Sequence, residues 1–181
     1  EQYPQVDLQI QTGPTNLMLE QVLSHMADIG VVAGPINCNE VHQQDVFEEE
    51  LVLVTEVGHG PVTTAADVGA ATILSFRAGC AYRYRLEQWF AESGMQPKVV
   101  EFGAFETILA CVGAGMGVSL MPAALLIKRN LLSSVRIHTL PRRLARVNTT
   151  LIWRKDISRH AARDAFIAHF ADEPAVLESV N

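Results

Sequence analysis

Glu101–Pro122 reads EFGAFETILACVGAGMGVSLMP, and this one stretch holds a strand, a polar turn, a helix, a glycine stop and a second strand. Val99, Val100 and Phe102 form a short apolar run, Gly103 breaks it, and Phe105, Leu109 and Val112 recur at helical spacing. Gly113, Gly115 and Gly117 end that helix, and Val118–Met121 makes a second apolar strand, stopped by Pro122 where another helix starts. A strand that feeds a helix through a glycine-containing turn leaves backbone N–H groups pointing beyond the strand's carboxyl end, where small anions bind. The three glycines superficially suggest a dinucleotide fingerprint, but they follow a helix instead of opening one, which argues against nucleotide binding.

The same grammar runs along the chain. Val6-Asp7-Leu8-Gln9-Ile10 alternates as a strand, Thr12-Gly13-Pro14-Thr15 turns, and Leu19, Val22, Leu23 and Met26 make a helical stripe. Asp28–Ala33 is a compact apolar strand ending at Gly34-Pro35, so these elements predict a right-handed βαβ unit with parallel strands. Val46-Phe47 and Glu50–Val54 read as two further strands, and Ala65–Val68 as a short helix leading to a strand over Ala71–Phe76. Arg77-Ala78-Gly79 then turns into a helix with Leu86, Trp89 and Phe90 on one face, closed by Gly94. After the opening stretch, Pro122–Leu132 is predicted helical, Val135–Leu140 extended, Pro141–Arg146 a basic link and Val147–Trp153 a strand. Ala162, Phe166 and Phe170 mark a last amphipathic helix. Alternating strands and helices predict an α/β fold with mostly parallel sheets, and the two βα series predict two lobes.

Composition narrows the function. With 181 residues, 49% of them hydrophobic, the chain can bury a real core. No apolar run approaches the ~18 residues that span a bilayer, and Glu1-Gln2-Tyr3-Pro4 lacks a signal-peptide pattern. A cytoplasmic protein without membrane contact is expected. The net charge is −6, and only Arg142, Arg143 and Arg146 cluster, so no basic face is expected to hold a nucleic-acid backbone. Cys38, Cys80 and Cys111 fit neither a disulfide framework nor a zinc site and are expected to be free thiols. His25, His42, His59, His138, His160 and His169 do not approach metal-ligand spacing. Neither a metal nor a cofactor is expected. Asn148-Thr149-Thr150 matches a glycosylation sequon but falls in a predicted strand and is discounted.

The chain resembles the effector-binding domain of LysR-type transcriptional regulators, which shares the type II periplasmic-binding-protein fold. The resemblance covers nearly the whole chain. It rests on the order and spacing of Tyr3-Pro4-Gln5-Val6, Thr12-Gly13-Pro14-Thr15, Asp28–Pro35, Glu50–Val54, Phe76–Arg83, Gly115–Pro122 and Leu151-Ile152-Trp153-Arg154. It implies two Rossmann-like lobes with a ligand cleft between them. The crossovers fall near Ala71 and near Leu140, giving lobe I as residues 1–71 and 140–181 and lobe II as 72–139. It also implies a winged helix-turn-helix and a linker helix ahead of Tyr3-Pro4, neither of which lies within these residues, so DNA would be contacted only through that missing domain. A small-molecule effector, commonly an organic acid, metabolite or aromatic compound, and a homodimer or homotetramer follow as expected partners.

The resemblance and the predicted strand ends together nominate Thr12, Gly13, Thr15, Ala33, Gly34, Ser75, Arg77, Cys80, Phe102, Phe105 and Thr107 as ligand contacts. Thr15 reads equally as a helix N-cap, Arg77 as a carboxylate fork or a solvent-facing cation, and Phe105 as pocket wall or core. Cys80 stands at a predicted helix start near Arg77 and Arg83, a setting that raises thiol reactivity. Peroxide-sensing members of the family carry a second cysteine nine residues on, where this chain has Trp89, so Cys80 reads first as a small pocket-lining residue. An enzyme of the same fold, such as a cyclic-acid dehydratase, would need a placed acid or base, and the loops offer only Glu106. A solute-binding protein would need an export signal.

Overall fold

The computed structural model describes residues 3–69, 72–128, 130–157 and 159–172, and the chain divides into two compact units. Over the described residues, the first unit runs to Phe47 and resumes at Asn148, and the second is Glu48–Val147. The chain therefore passes from unit to unit at Phe47–Glu48 and at Val147–Asn148. Ala71, where the sequence reading put the first crossover, lies outside the described residues.

In the first unit, α1 (Thr15–Leu23) is followed by β1 (Gly30–Ala33) and by the first half of β2 (Val41–Thr55). Val22 from α1 is fully buried against Val32, Val41 and Ile152, with Met18, Leu19 and Leu23 packed around them. This is the face set by the helical stripe in the sequence. Met26 falls beyond the helix and is exposed.

Val6–Ile10 corrects the sequence reading. It forms no ladder, and Leu8 and Ile10 are 66% and 78% exposed, so the predicted N-terminal parallel βαβ unit is not formed. Its alternation provides only one apolar face, and β1 pairs instead with the C-terminal strand β7, antiparallel.

In the second unit the rest of β2 leads through a 3₁₀ turn (Ala65–Val68) to β3 (Thr72–Ser75), α2 (Ala81–Glu92), β4 (Lys98–Glu101) and α3 (Phe105–Gly113). Then come β5 (Ser119–Pro122), α4 (Ala123–Lys128), β6 (Arg136–His138) and α5 (Arg142–Ala145), before β7 (Arg146–Arg154) re-enters the first unit and α6 (Ala161–Asp172) follows. The basic link is thus a helical turn. Its charge is locally balanced, since Arg143 pairs with Glu92 and Arg146 with Glu48.

The sheets are mixed, and this corrects the expectation of mostly parallel ones. β1 pairs with β7, and β2 pairs with β5 and β6, all antiparallel. β3 and β4 make a parallel ladder, extended by a parallel bridge from Ile73 to Val118. Val46-Phe47 and Glu50–Val54 are one continuous strand, because the Glu48–Glu50 run that interrupts the apolar pattern keeps its extended backbone.

Where the parallel expectation holds, the reason is packing. Ile73 and Leu74 are both buried, with α2 on one face supplying Leu86, Trp89 and Phe90 and α3 on the other supplying Ile108, Leu109 and Val112. A strand covered on both faces reads as a continuous apolar run. Gly115 has φ of +76°, and a Cβ on Gly117 would sit 2.2 Å from the Thr72 carbonyl oxygen. The glycines are a helix stop and a close approach of β5 to β3. Among the described residues, no helix is long and apolar enough to cross a membrane.

Candidate functional site

Because β3 and β4 run parallel in register, Thr72 opposite Lys98 to Ser75 opposite Glu101, their carboxyl ends lie at the same edge. Both strands turn there into helices. The Phe76–Cys80 loop opens α2 and the Phe102–Ala104 loop opens α3. The N-cap residues, Cys80 and Ala104, make no side-chain cap bond to the first-turn N–H groups of their helices. Two helix starts of this kind at one sheet edge favour an anion.

Around that edge, Ser75 is only 6% exposed at the end of β3, and its carbonyl accepts the Phe102 N–H at 2.9 Å, which ties the two loops together. Phe76 and Phe105 meet edge to face with ring centroids 4.7 Å apart, both half-buried against the core. They are therefore wall and core at once. Arg77 is exposed and takes no ion pair among the described residues. Arg83 differs: its guanidinium is held by Glu87 at 2.9 Å and Glu101 at 2.5 Å. Thr107 is exposed as the third residue of α3, and Cys80 is a half-buried free thiol.

The start of α2 is anchored from behind. Tyr82 donates a hydrogen bond of 2.6 Å to Glu49 of β2, next to the point where that strand leaves the unit. Burial, and then the negative charge of Glu49, push the Tyr82 phenol far above its ordinary range.

In the first unit, the nominated residues are divided. Thr12 and Gly13 are exposed, and Pro14, not Thr15, is the N-cap of α1, which corrects the capping alternative: Thr15 is the first helical residue and its hydroxyl makes no cap bond. Ala33 is half-buried and Gly34 buried at the end of β1, where the Gly34 N–H bonds the Asn148 carbonyl at 2.8 Å. A Cβ on Gly34 would lie 2.3 Å from the Thr150 hydroxyl oxygen, so the backbone passes directly over that side chain.

Beside it stands a polar group that the sequence reading missed. The Asp45 carboxylate accepts the Asn148 amide and the Thr150 hydroxyl, each at 2.6 Å. The signal available was the two-residue spacing of Asn148 and Thr150, which puts both on one face of β7. It was discounted along with the sequon it resembles. Among the described residues no three His, Cys, Asp or Glu side chains come together as a metal would require.

The second unit thus gathers two helix starts at the strand ends of one parallel ladder. The chain belongs to the LysR substrate binding domain family, whose pattern matches residues 1–175. It is 38% identical over 171 residues to the HTH-type transcriptional regulator GltR of Bacillus subtilis (strain 168), covering 94% of this chain and 58% of that protein. The chain thus spans a little over half the length of that relative.

Among solved structures, it is similar to the CcmR regulatory domain of Synechocystis PCC6803 in complex with 2-PG, with a TM-score of 0.81 at 14% identity, covering 94% of this chain and 85% of that one. It is also similar to the effector binding domain of QuiR in complex with shikimate, with a TM-score of 0.72 at 19% identity, covering 88% and 77%. The fold is that of LysR regulatory domains, and the chain is an effector-binding domain of that family, whose relative named above is a transcriptional regulator.

Proposed function

We propose that this domain senses a small organic acid, with the second unit as its principal anchor. The observation that carries the reading is the pair of helix starts at the β3–β4 edge, neither bonded by its own N-cap side chain, with the exposed Arg77 and the Phe76–Phe105 wall beside them. A carboxylate takes the N–H groups and the Arg77 fork, and the apolar or ring part of the ligand lies against the phenylalanines. Ser75, Cys80, Phe102 and Thr107 complete this set, and Thr12, Gly13, Thr15, Ala33 and Gly34 are the contacts proposed from the first unit. The 2-PG and shikimate held by CcmR and QuiR support a small polar organic ligand.

In the whole protein, occupancy shifts the balance between states of a homodimer or homotetramer and so controls DNA binding through a helix-turn-helix domain. The two lobes and a cytoplasmic location belong to the same reading. The HTH-type regulators that the chain resembles support it.

A thermal-shift screen of organic acids, followed by calorimetry on the best binder, tests the site. Arg77→Ala is expected to weaken binding about tenfold and Thr15→Ala less, in line with one lost charged hydrogen bond of ~1.5 kcal/mol. Unchanged affinity in both variants would refute the assignment.

A further inference from the structure

Away from the strand-end loops, one buried side chain has its hydrogen bonds arranged so that only one protonation state fits. His138, the last residue of β6, is 6% exposed. Its Nδ1 accepts the backbone N–H of Val62 at 3.2 Å, and its Nε2 lies 2.9 Å from the Thr55 hydroxyl oxygen. That hydroxyl donates its one proton to the Glu56 carbonyl at 3.1 Å, so it receives a proton from the ring. The imidazole is therefore neutral with its proton on Nε2. A second proton would fall on Nδ1, facing another N–H, and the bond to Val62 would be lost.

What that bond holds is the segment between the end of β2 and the 3₁₀ turn. Val62 is buried, and its N–H is tied to the sheet through His138, while His59 is tied through the Arg136 guanidinium, which donates to the His59 carbonyl at 2.6 Å. Thr63 and Thr64 bond Asp67 of the 3₁₀ turn itself and so do not reach the sheet.

We propose that His138 is a proton-operated latch on the Glu56–Val62 segment, closed when the ring is neutral and released when it is charged. The charged and titratable groups around the ring favour release over a protonated closed form. His59, on the segment, stands edge to face with ring centroids 5.9 Å apart, and Arg136 lies on the same strand. Glu56, the first residue of the segment, directs its carboxylate toward Gly115, where an added Cβ would meet it at 2.6 Å. Of the other carboxylates on the second unit's part of β2, Glu48 pairs with Arg146 and Glu49 with Tyr82, while the Glu50 Oε2 lies 4.0 Å from Arg146, buried and without a hydrogen bond among the described residues. Burial, then the neighbouring His59 and Arg136, hold the imidazole below its ordinary range. The unfolded or open chain thus binds the proton more readily than the closed one, and stability falls as pH drops below about 6.5.

The test is NMR on the ¹⁵N-labelled chain between pH 8 and pH 5. Ring-nitrogen shifts report the His138 tautomer, and amide exchange at Val62, corrected for its intrinsic pH dependence, reports opening. The expected result is an Nε2–H tautomer at pH 8 and an opening constant for Val62 that rises by up to about tenfold per pH unit below about 6.5. His138→Gln, which keeps one acceptor and one donor, is expected to abolish that rise, and His59→Gln to preserve it. An Nδ1–H tautomer, a flat Val62 profile, or a rise that survives in His138→Gln or disappears in His59→Gln would overturn the latch. Should His138→Gln fail to fold, the tautomer and the Val62 profile of the unaltered chain decide the question.

Discussion

The start of α1 and the start of α3 are written in similar residues but built to different degrees. Each follows an apolar stretch and a glycine-containing turn, and neither N-cap residue, Pro14 or Ala104, makes a side-chain cap bond. Behind α3 stands β4, laddered to β3, against which α2 and α3 pack. Behind α1 lies Val6–Ile10, exposed and without a ladder, while the far end of the helix is held by Arg154, which donates to the Leu23 carbonyl. A helix start becomes a defined anion site only when its backbone is fixed from behind, and the second unit supplies that fixing. This is why Arg77 and the Phe76–Phe105 pair, not Thr12 and Thr15, carry the proposed anchor.

The largest expected effect comes from undoing the close approach that sets β5 against β3. Gly117→Ala forces a Cβ onto the Thr72 carbonyl and should cost about 3 kcal/mol in urea unfolding. Gly103→Ala, in the loop that opens α3, has open space around the added Cβ and should stay within about 0.5 kcal/mol. Equal costs would mean that the sheet is not rigid where the site needs it.

Next is the anchor behind α2. Tyr82→Phe removes the hydroxyl from a part-buried carboxylate and should cost about 1–2 kcal/mol near neutral pH. Because the folded Tyr82 phenol is held above its ordinary range, the unfolded chain releases that proton first. The stability it contributes is present below about pH 10 and declines as pH rises beyond it. The difference between wild type and Tyr82→Phe, followed by unfolding at rising pH, should therefore shrink above that value.

The smallest effect belongs to the N-terminal segment. Ile10→Asp changes an exposed side chain and should alter stability by no more than about 0.5 kcal/mol. A loss of 2 kcal/mol or more would show that Val6–Ile10 is buried against a neighbour in solution.

How far the fold was legible follows from the same contrast. The Phe105/Leu109/Val112 and Leu86/Trp89/Phe90 stripes identified α3 and α2 because a buried helix face must repeat at helical spacing. Val6, Leu8 and Ile10 show an equally clear strand period, but period describes one strand's faces and not its neighbour. Whether β1 takes Val6–Ile10 or β7 is decided by long-range pairing that no local window contains. The fusion of Val46-Phe47 with Glu50–Val54 was hidden because Glu48 and Glu50 find Arg146, and Glu49 finds Tyr82, far along the chain. The strand-end loops were legible as a class of site, since parallel βα units place them. The Asp45–Asn148–Thr150 group was not, because its partners are 103 and 105 residues apart.

The central claim is that the β3–β4 edge holds the ligand's acidic group. The most direct measurement is amide NMR of the chain titrated with the best organic acid from the thermal-shift screen. The largest shifts are expected at the first-turn amides of α2 and α3, Ala81–Arg83 and Phe105–Thr107, and should be lost at the same ligand concentration in Arg77→Ala. Shifts confined to other parts of the chain, with the affinity of Arg77→Ala unchanged, would contradict it.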